Sequence, residues 1–228
     1  NLTEKLHDVE IEKGGLLPPM RYDDTLKVIS LEYMMENRDD PIIWRGPLKI
    51  QAIRQFMSDI DWGNLDYLII DAPPGTGDEP LTVAQTIKDA NAVVVTTPQD
   101  IALADVRKSI NFCKQMKMNV VGVVENMSGF VCPHCSNQVD IFKTGGGDKM
   151  AKEFGIKLLG RIPLDPKVVC AGDDGKPYLS SDQESPAIEA FAEVVKNVEN
   201  ELSSKKAPLP MAADCGCGGT CDPVTCDC

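Results

Sequence analysis

The chain has 228 residues, 43% of them hydrophobic, and a formal net charge of −12. That apolar content is enough for one α/β domain and argues against global disorder. The acidic balance speaks against a broad nucleic-acid surface and against docking on an anionic membrane, no apolar run reaches the roughly 20 residues that span a bilayer, and the polar stretch Asn1 to His7 does not look like a signal peptide, so the sequence reads as cytoplasmic.

In chain order, residues 1–25 read as irregular, punctuated by Gly14-Gly15 and Pro18-Pro19. Residues 26–31 read as a strand, and 47–59 as a helix with Pro47 near its start. Residues 66–71, 92–96 and 120–124 are apolar runs of the kind buried on both faces of a parallel sheet. Helices are predicted over 79–89 and 100–117, the second placing Leu103, Val106, Ile110 and Cys113 at helical spacing. A further strand is predicted over 157–162. The last helix begins at Ser185-Pro186, an N-cap and first-turn pair, and carries the stripe Ile188, Phe191, Val195, Val198 and Leu202. The alternation predicts an α/β fold with a mainly parallel sheet and helices on both faces. The solitary Cys113 and Cys170 read as small buried hydrophobes.

Two motifs carry chemistry. In Leu68-Ile69-Ile70-Asp71-Ala72-Pro73-Pro74-Gly75-Thr76-Gly77-Asp78, an apolar strand ends in an acid and turns through Pro-Pro-Gly. An acid at the carboxyl end of such a strand can hold Mg²⁺ through water, and Gly75 allows close backbone approach to a phosphate. A plain turn with a capping acid is the other reading. The second motif is Cys132-Pro133-His134-Cys135. Two thiolates at this spacing can share a metal, but they do not complete a tetrahedral site. A redox pair, half a zinc site and half an iron–sulfur site all remain open.

The string Asp-x-Pro-Pro-Gly-Thr-Gly-Asp strongly resembles the Walker B and switch segment of the Mrp/Nbp35 (ApbC-like) ATPases, within the wider MinD-like group. The resemblance extends over most of residues 1–200. Ile43-Trp44-Arg45-Gly46-Pro47 looks like the family's Trp-Arg-Gly-Pro string, Glu125-Asn126-Met127-Ser128 like its Asn-Met segment, and Ile162-Pro163-Leu164-Asp165-Pro166 like the loop that closes over the base. The resemblance implies a P-loop NTPase fold, ATP and Mg²⁺ as ligands, Asp71 as the catalytic acid that organises Mg²⁺, Gly75 near the γ-phosphate, and Asn126 and Asp165 on the base and ribose side. It also implies that Cys132 and Cys135 ligate one [4Fe–4S] cluster shared across a homodimer, for transfer to apo iron–sulfur proteins, with His134 a bystander.

The family's phosphate grip, Gly-Lys-Gly-Gly-x-Gly-Lys-Ser/Thr, has no counterpart here. Glu12-Lys13-Gly14-Gly15 comes nearest and lacks the second lysine and the hydroxyl. The expectation is an N-terminal truncation that removes the first strand and the P-loop and leaves this chain inactive as an ATPase. Residues 1–202 read as the incomplete carrier domain, and 203–228 as a flexible tail whose Cys215, Cys217, Cys221, Cys226 and Cys228 could bind soft metals or stay idle. The rival readings are a MinD-like positioning ATPase and a non-enzymatic zinc-binding interaction protein. The first needs no Cys-x-x-Cys, and the second would hold zinc without sulfide.

Overall fold

The computed structural model describes residues 16–35, 37, 41, 43–132, 134, 135, 137–180 and 185–205. The five-cysteine tail and the Glu12-Lys13-Gly14-Gly15 string lie outside them. Two short strands, β1 (Met20–Arg21) and β2 (Lys27–Val28), pair antiparallel. They are followed by helices α1 (Gly46–Ser58) and α2 (Asp78–Thr86). The central sheet is built from β3 (Asn91–Thr96), β4 (Asn119–Glu125) and β7 (Leu158–Arg161), all parallel, in the order β3-β4-β7. Helices α3 (Asp100–Gln115), α4 (Gly146–Phe154), α5 (Pro166–Asp173) and α6 (Pro186–Lys205) connect and follow these strands. A small hairpin, β5 (Phe130–Val131) with β6 (Gln138–Val139), projects between β4 and α4.

Helices cover both faces of the sheet, as the alternating pattern requires. On one face Val94 and Val123 pack with Leu103 and Ile110 of α3 and with Met150 and Ala151 of α4. On the other face Val121, Val124 and Leu159 pack under Val194 of α6, with Ala190, Phe191, Val198 and Leu202 around them. Cys113 is buried in α3 as expected. The fold class is therefore α/β with a parallel sheet between helical layers.

Several expectations need correction. Only Lys27 and Val28 of the 26–31 run form a strand, because Ser30 caps a 3-10 turn over Leu31–Met34 with its hydroxyl accepting from the Glu32 N–H. Residues 66–71 join no ladder, and Ile69 is 89% exposed. A strand needs a partner for its backbone donors and acceptors, and none pairs this segment among the described residues. Burial on both faces holds for β4 but not for β3, where Val93 and Val95 are exposed and only Val94 and Thr96 face inward. Cys170 is exposed on α5. In α6 the buried stripe contains Ala187 and Val194, while Val195 is 47% exposed. The reason is a glycine notch in β7: a Cβ on Gly160 would lie 2.6 Å from Val194 Cγ2. The α6 helix settles its closest approach there. It also continues to Lys205, past the expected boundary at 202.

No helix among the described residues is long and apolar enough to cross a membrane.

Candidate functional site

The cysteine pair sits at the turn of the β5–β6 hairpin. Phe130 pairs with Val139 and Val131 with Gln138, and one step further the Cys132 N–H donates to the Asn137 carbonyl at 3.0 Å. This narrow ladder turns the chain back within a few residues and leaves Cys132 half-buried and Cys135 exposed. Backbone N–H groups of His134 and Cys135, helped by the Cys135 thiol, hold the Cys132 thiol below its ordinary range. Donors aimed at a sulfur favour its thiolate, the form that binds metals. What His134 contributes is its main-chain N–H. Among the described residues no group of three or more His, Cys, Asp or Glu side chains is placed to hold a metal ion, so this site offers two ligands.

The hairpin grows from the carboxyl end of β4, where ligands gather in open α/β sheets. Beyond the β4–β7 ladder the two chains stay zipped. The Ser128 N–H donates to the Ile162 carbonyl at 2.9 Å, the Leu164 N–H to the Gly129 carbonyl at 2.8 Å, and Phe130 bridges Leu164. This brings Asn126, the Asp165 loop and the root of the cysteine hairpin to one end of the sheet. The Asn126 N–H donates to the Thr96 carbonyl at 2.7 Å, and its Oδ1 accepts from the Met127 N–H at 2.9 Å. The amide NH₂ and the second lone pair are what it can offer a base.

Asp165 is engaged within the chain. Its Oδ1 caps α5 by accepting from the Lys167 N–H at 2.9 Å, and its Oδ2 accepts from Tyr178 Oη at 2.7 Å and Ser185 Oγ at 2.5 Å. Ser185 in turn accepts from the Ala187 N–H at 3.2 Å, capping α6 as its position before Pro186 suggests. Burial pushes the Asp165 carboxyl up, but the bonds from Ser185, Tyr178 and Lys167 outweigh it and hold the group below its ordinary value of 3.8. A carboxyl whose folded value is depressed contributes stability above its unfolded value and loses it as pH falls through the folded one. Wild type should therefore melt above Asp165→Asn at pH 7, and the gap should close as pH falls below 3.8. Paired thermal melts from pH 7 to pH 2.5 check this, and a gap that stays constant would contradict it.

Asp71 and Gly75 lie on the loop that leads into α2. Asp71 is exposed at the end of the unpaired extended segment. Gly75 adopts a φ of +100°, open to glycine but not to ordinary residues, and nothing lies within 4 Å of where a Cβ would point. Their loop ends at α2, which is tied to α1 by a Lys49–Glu79 ion pair of 2.7 Å. The Asp78 carboxylate lies against Gly46, so a side chain there would displace it. The structure thus brings Asn126, the Asp165 loop and the root of the cysteine hairpin to the carboxyl end of the sheet, and leads the Asp71–Gly75 loop into α2, which is tied to α1.

Sequence reasoning missed Glu125, Ser128, Tyr178 and Ser185 as partners. An acid closing an otherwise apolar buried strand was the available signal for Glu125. Nothing local announces the Asp165–Tyr178–Ser185 network, which spans 20 residues.

Comparison with known proteins bears on the fold and the family. A nucleotide-binding protein from Archaeoglobus fulgidus, solved in complex with ADP and with Co found by PIXE, is 34% identical, with a TM-score of 0.60 over 77% of this chain and 70% of that one. The cell division ATPase MinD from Pyrococcus furiosus superposes at 21% identity and a TM-score of 0.50, covering 68% of this chain and 58% of its own. MinD from Pyrococcus horikoshii, complexed with Mg-ADP, gives 22% and 0.50 over 72% and 60%. These last two speak to the fold alone, and they support the MinD-like architecture. A ParA profile described as NUBPL iron-transfer P-loop NTPase matches residues 2–199. With that match running through the sheet, the Asp71 loop and the cysteine hairpin, the chain belongs to the ParA family of NUBPL iron-transfer P-loop NTPases.

Proposed function

We propose that two copies of the chain hold one [4Fe–4S] cluster between their Cys132–Cys135 pairs and deliver it to apo iron–sulfur proteins; ATP binding and hydrolysis would govern the hold only together with the Gly-Lys-Gly-Gly-x-Gly-Lys-Ser/Thr grip that this sequence does not contain. The observation that carries this reading is the two-ligand turn: a half-buried thiol that receives backbone N–H donors beside a second, exposed thiol, with no third ligand beside them among the described residues. A cubane cluster takes four thiolates. A contact about a two-fold axis sets the same patch against itself and supplies the missing pair. Soft thiolates suit iron–sulfur clusters, and N–H donors to the sulfur tune them. The cluster is cargo in this reading. A site split between two copies can release it by their separation, with neither chain unfolding.

On the nucleotide side, ATP with Mg²⁺ supplies phosphoryl transfer to water when bound. Asp71 is the carboxylate available to Mg²⁺, since it stands exposed at the end of its segment. Gly75 is where the backbone can approach a phosphate, because the space beside it is open. Asn126 would offer its amide to the base, and Asp165 would stand on the ribose side.

Anaerobic reconstitution with ferrous iron and sulfide tests the cluster reading. The expected result is about one four-iron cluster per two chains, with a dimer mass that falls to that of one chain on chelation. Zinc bound without acid-labile sulfide would overturn it.

A further inference from the structure

Glu125, the last residue of β4, is fully buried. A buried carboxylate is tolerable only when donors meet it. Its Oε1 accepts from the Gly145 N–H at 2.9 Å and from Ser128 Oγ at 2.5 Å, and its Oε2 accepts from the Gly147 N–H. Arg161 Nε lies 3.6 Å from Oε1. Gly145 to Gly147 open helix α4, so these amides also bring the positive end of its dipole. A glycine-rich helix start of this kind commonly receives a phosphate. Here a carboxylate of the same chain fills it. Gly145 has a φ of +84°, and a Cβ on Gly147 would lie 3.0 Å from Glu125 Cβ. Gly147 therefore makes room for an internal anion, while Gly145 supplies the left-handed turn that aims its N–H at it.

The same carboxylate grips Ser128, which is the root of the cysteine hairpin. Between them Met127 takes a φ of +54°, an unfavourable conformation for a non-glycine residue that the surroundings must hold. The Ser128–Glu125 bond closes that tight turn. Ser128, Gly129 and Phe130 then dock on Ile162 and Leu164 before the chain reaches Cys132.

We infer that Glu125 is a positioning residue for the cysteine pair: by pinning Ser128 and the start of α4 to one point, it fixes where the hairpin leaves the sheet. The inference rests on the reading that Cys132 and Cys135 hold the cluster. Two hairpins that meet at one cluster must each be placed to a fraction of an ångström. Loosening the root should therefore speed cluster loss in a chain that still folds.

The test uses the full chain, reconstituted anaerobically, and follows the decay of cluster absorbance in excess chelator. Ser128→Ala removes the hairpin-side bond and leaves both glycine bonds, so cluster loss should quicken about tenfold, the size of one hydrogen bond to a charged group, in a chain that melts a few degrees lower but still cooperatively. Glu125→Gln places an NH₂ against the glycine amides and should lose the cluster at least as fast. The double variant should be no faster than Glu125→Gln, since both changes break one network. Wild-type decay in Ser128→Ala overturns the role of Glu125, whether or not Glu125→Gln folds, and so do effects that multiply in the double variant. A wild-type chain that takes up no cluster, or a Cys132→Ser chain that retains one, overturns the cluster reading and this inference with it.

Discussion

Cys132→Ser and Cys135→Ser should each reduce bound iron and acid-labile sulfide after anaerobic reconstitution from about one cluster per two chains to nearly none. In the proposed two-fold site each chain contributes this pair, so one substitution removes two of the four ligands. A serine hydroxyl is a hard, protonated replacement for a soft thiolate. Cys135→Ser also removes the thiol that helps lower Cys132, although the His134 and Cys135 N–H donors remain. Cys170→Ser is the matched control, because that thiol is exposed on α5. Serine at Cys215, Cys217, Cys221, Cys226 and Cys228 should likewise leave the cluster spectrum unchanged. Iron and sulfide analysis with absorption spectra measures all of these. A full, unaltered cluster in the Cys132→Ser, Cys135→Ser double variant would falsify the assignment.

Val194→Asp should destabilise the domain by roughly 3–5 kcal/mol, whereas Val195→Asp should stay within about 0.5 kcal/mol. Val194 is 9% exposed and lies over the Gly160 notch among Val121, Val124 and Leu159. A carboxylate there would be buried among these apolar side chains. Val195 is 47% exposed, so its carboxylate stays in water. Denaturant melts of the two variants separate them directly, and equal effects would mean that α6 does not sit on the sheet as described. The relief partner is also specified. Gly160→Ala should destabilise by crowding Val194 Cγ2, and Val194→Ala should recover part of that loss, because the two changes share one contact.

The sequence by itself determined the layered α/β class, because apolar runs such as 120–124 alternate with helical stripes such as Leu103, Ile110 and Cys113, and both patterns are set by local periodicity. It also marked Cys132 and Cys135, since a Cys-x-x-Cys spacing is local, and Ser185 before Pro186, since a cap is local. Only the tertiary structure decided the rest. Which valine of α6 is buried depends on a missing side chain at Gly160, more than thirty positions away. Whether 66–71 becomes a strand depends on a partner for its backbone, which hydrophobicity cannot supply. That Glu125 fills the glycine-rich start of α4, and that Asp165 is held by Tyr178 and Ser185, follow from elements meeting at the carboxyl end of the sheet. Local pattern states what a segment can form. The choice of partner for a buried polar group is made only when the elements pack, because only then does leaving it unpaired carry a cost.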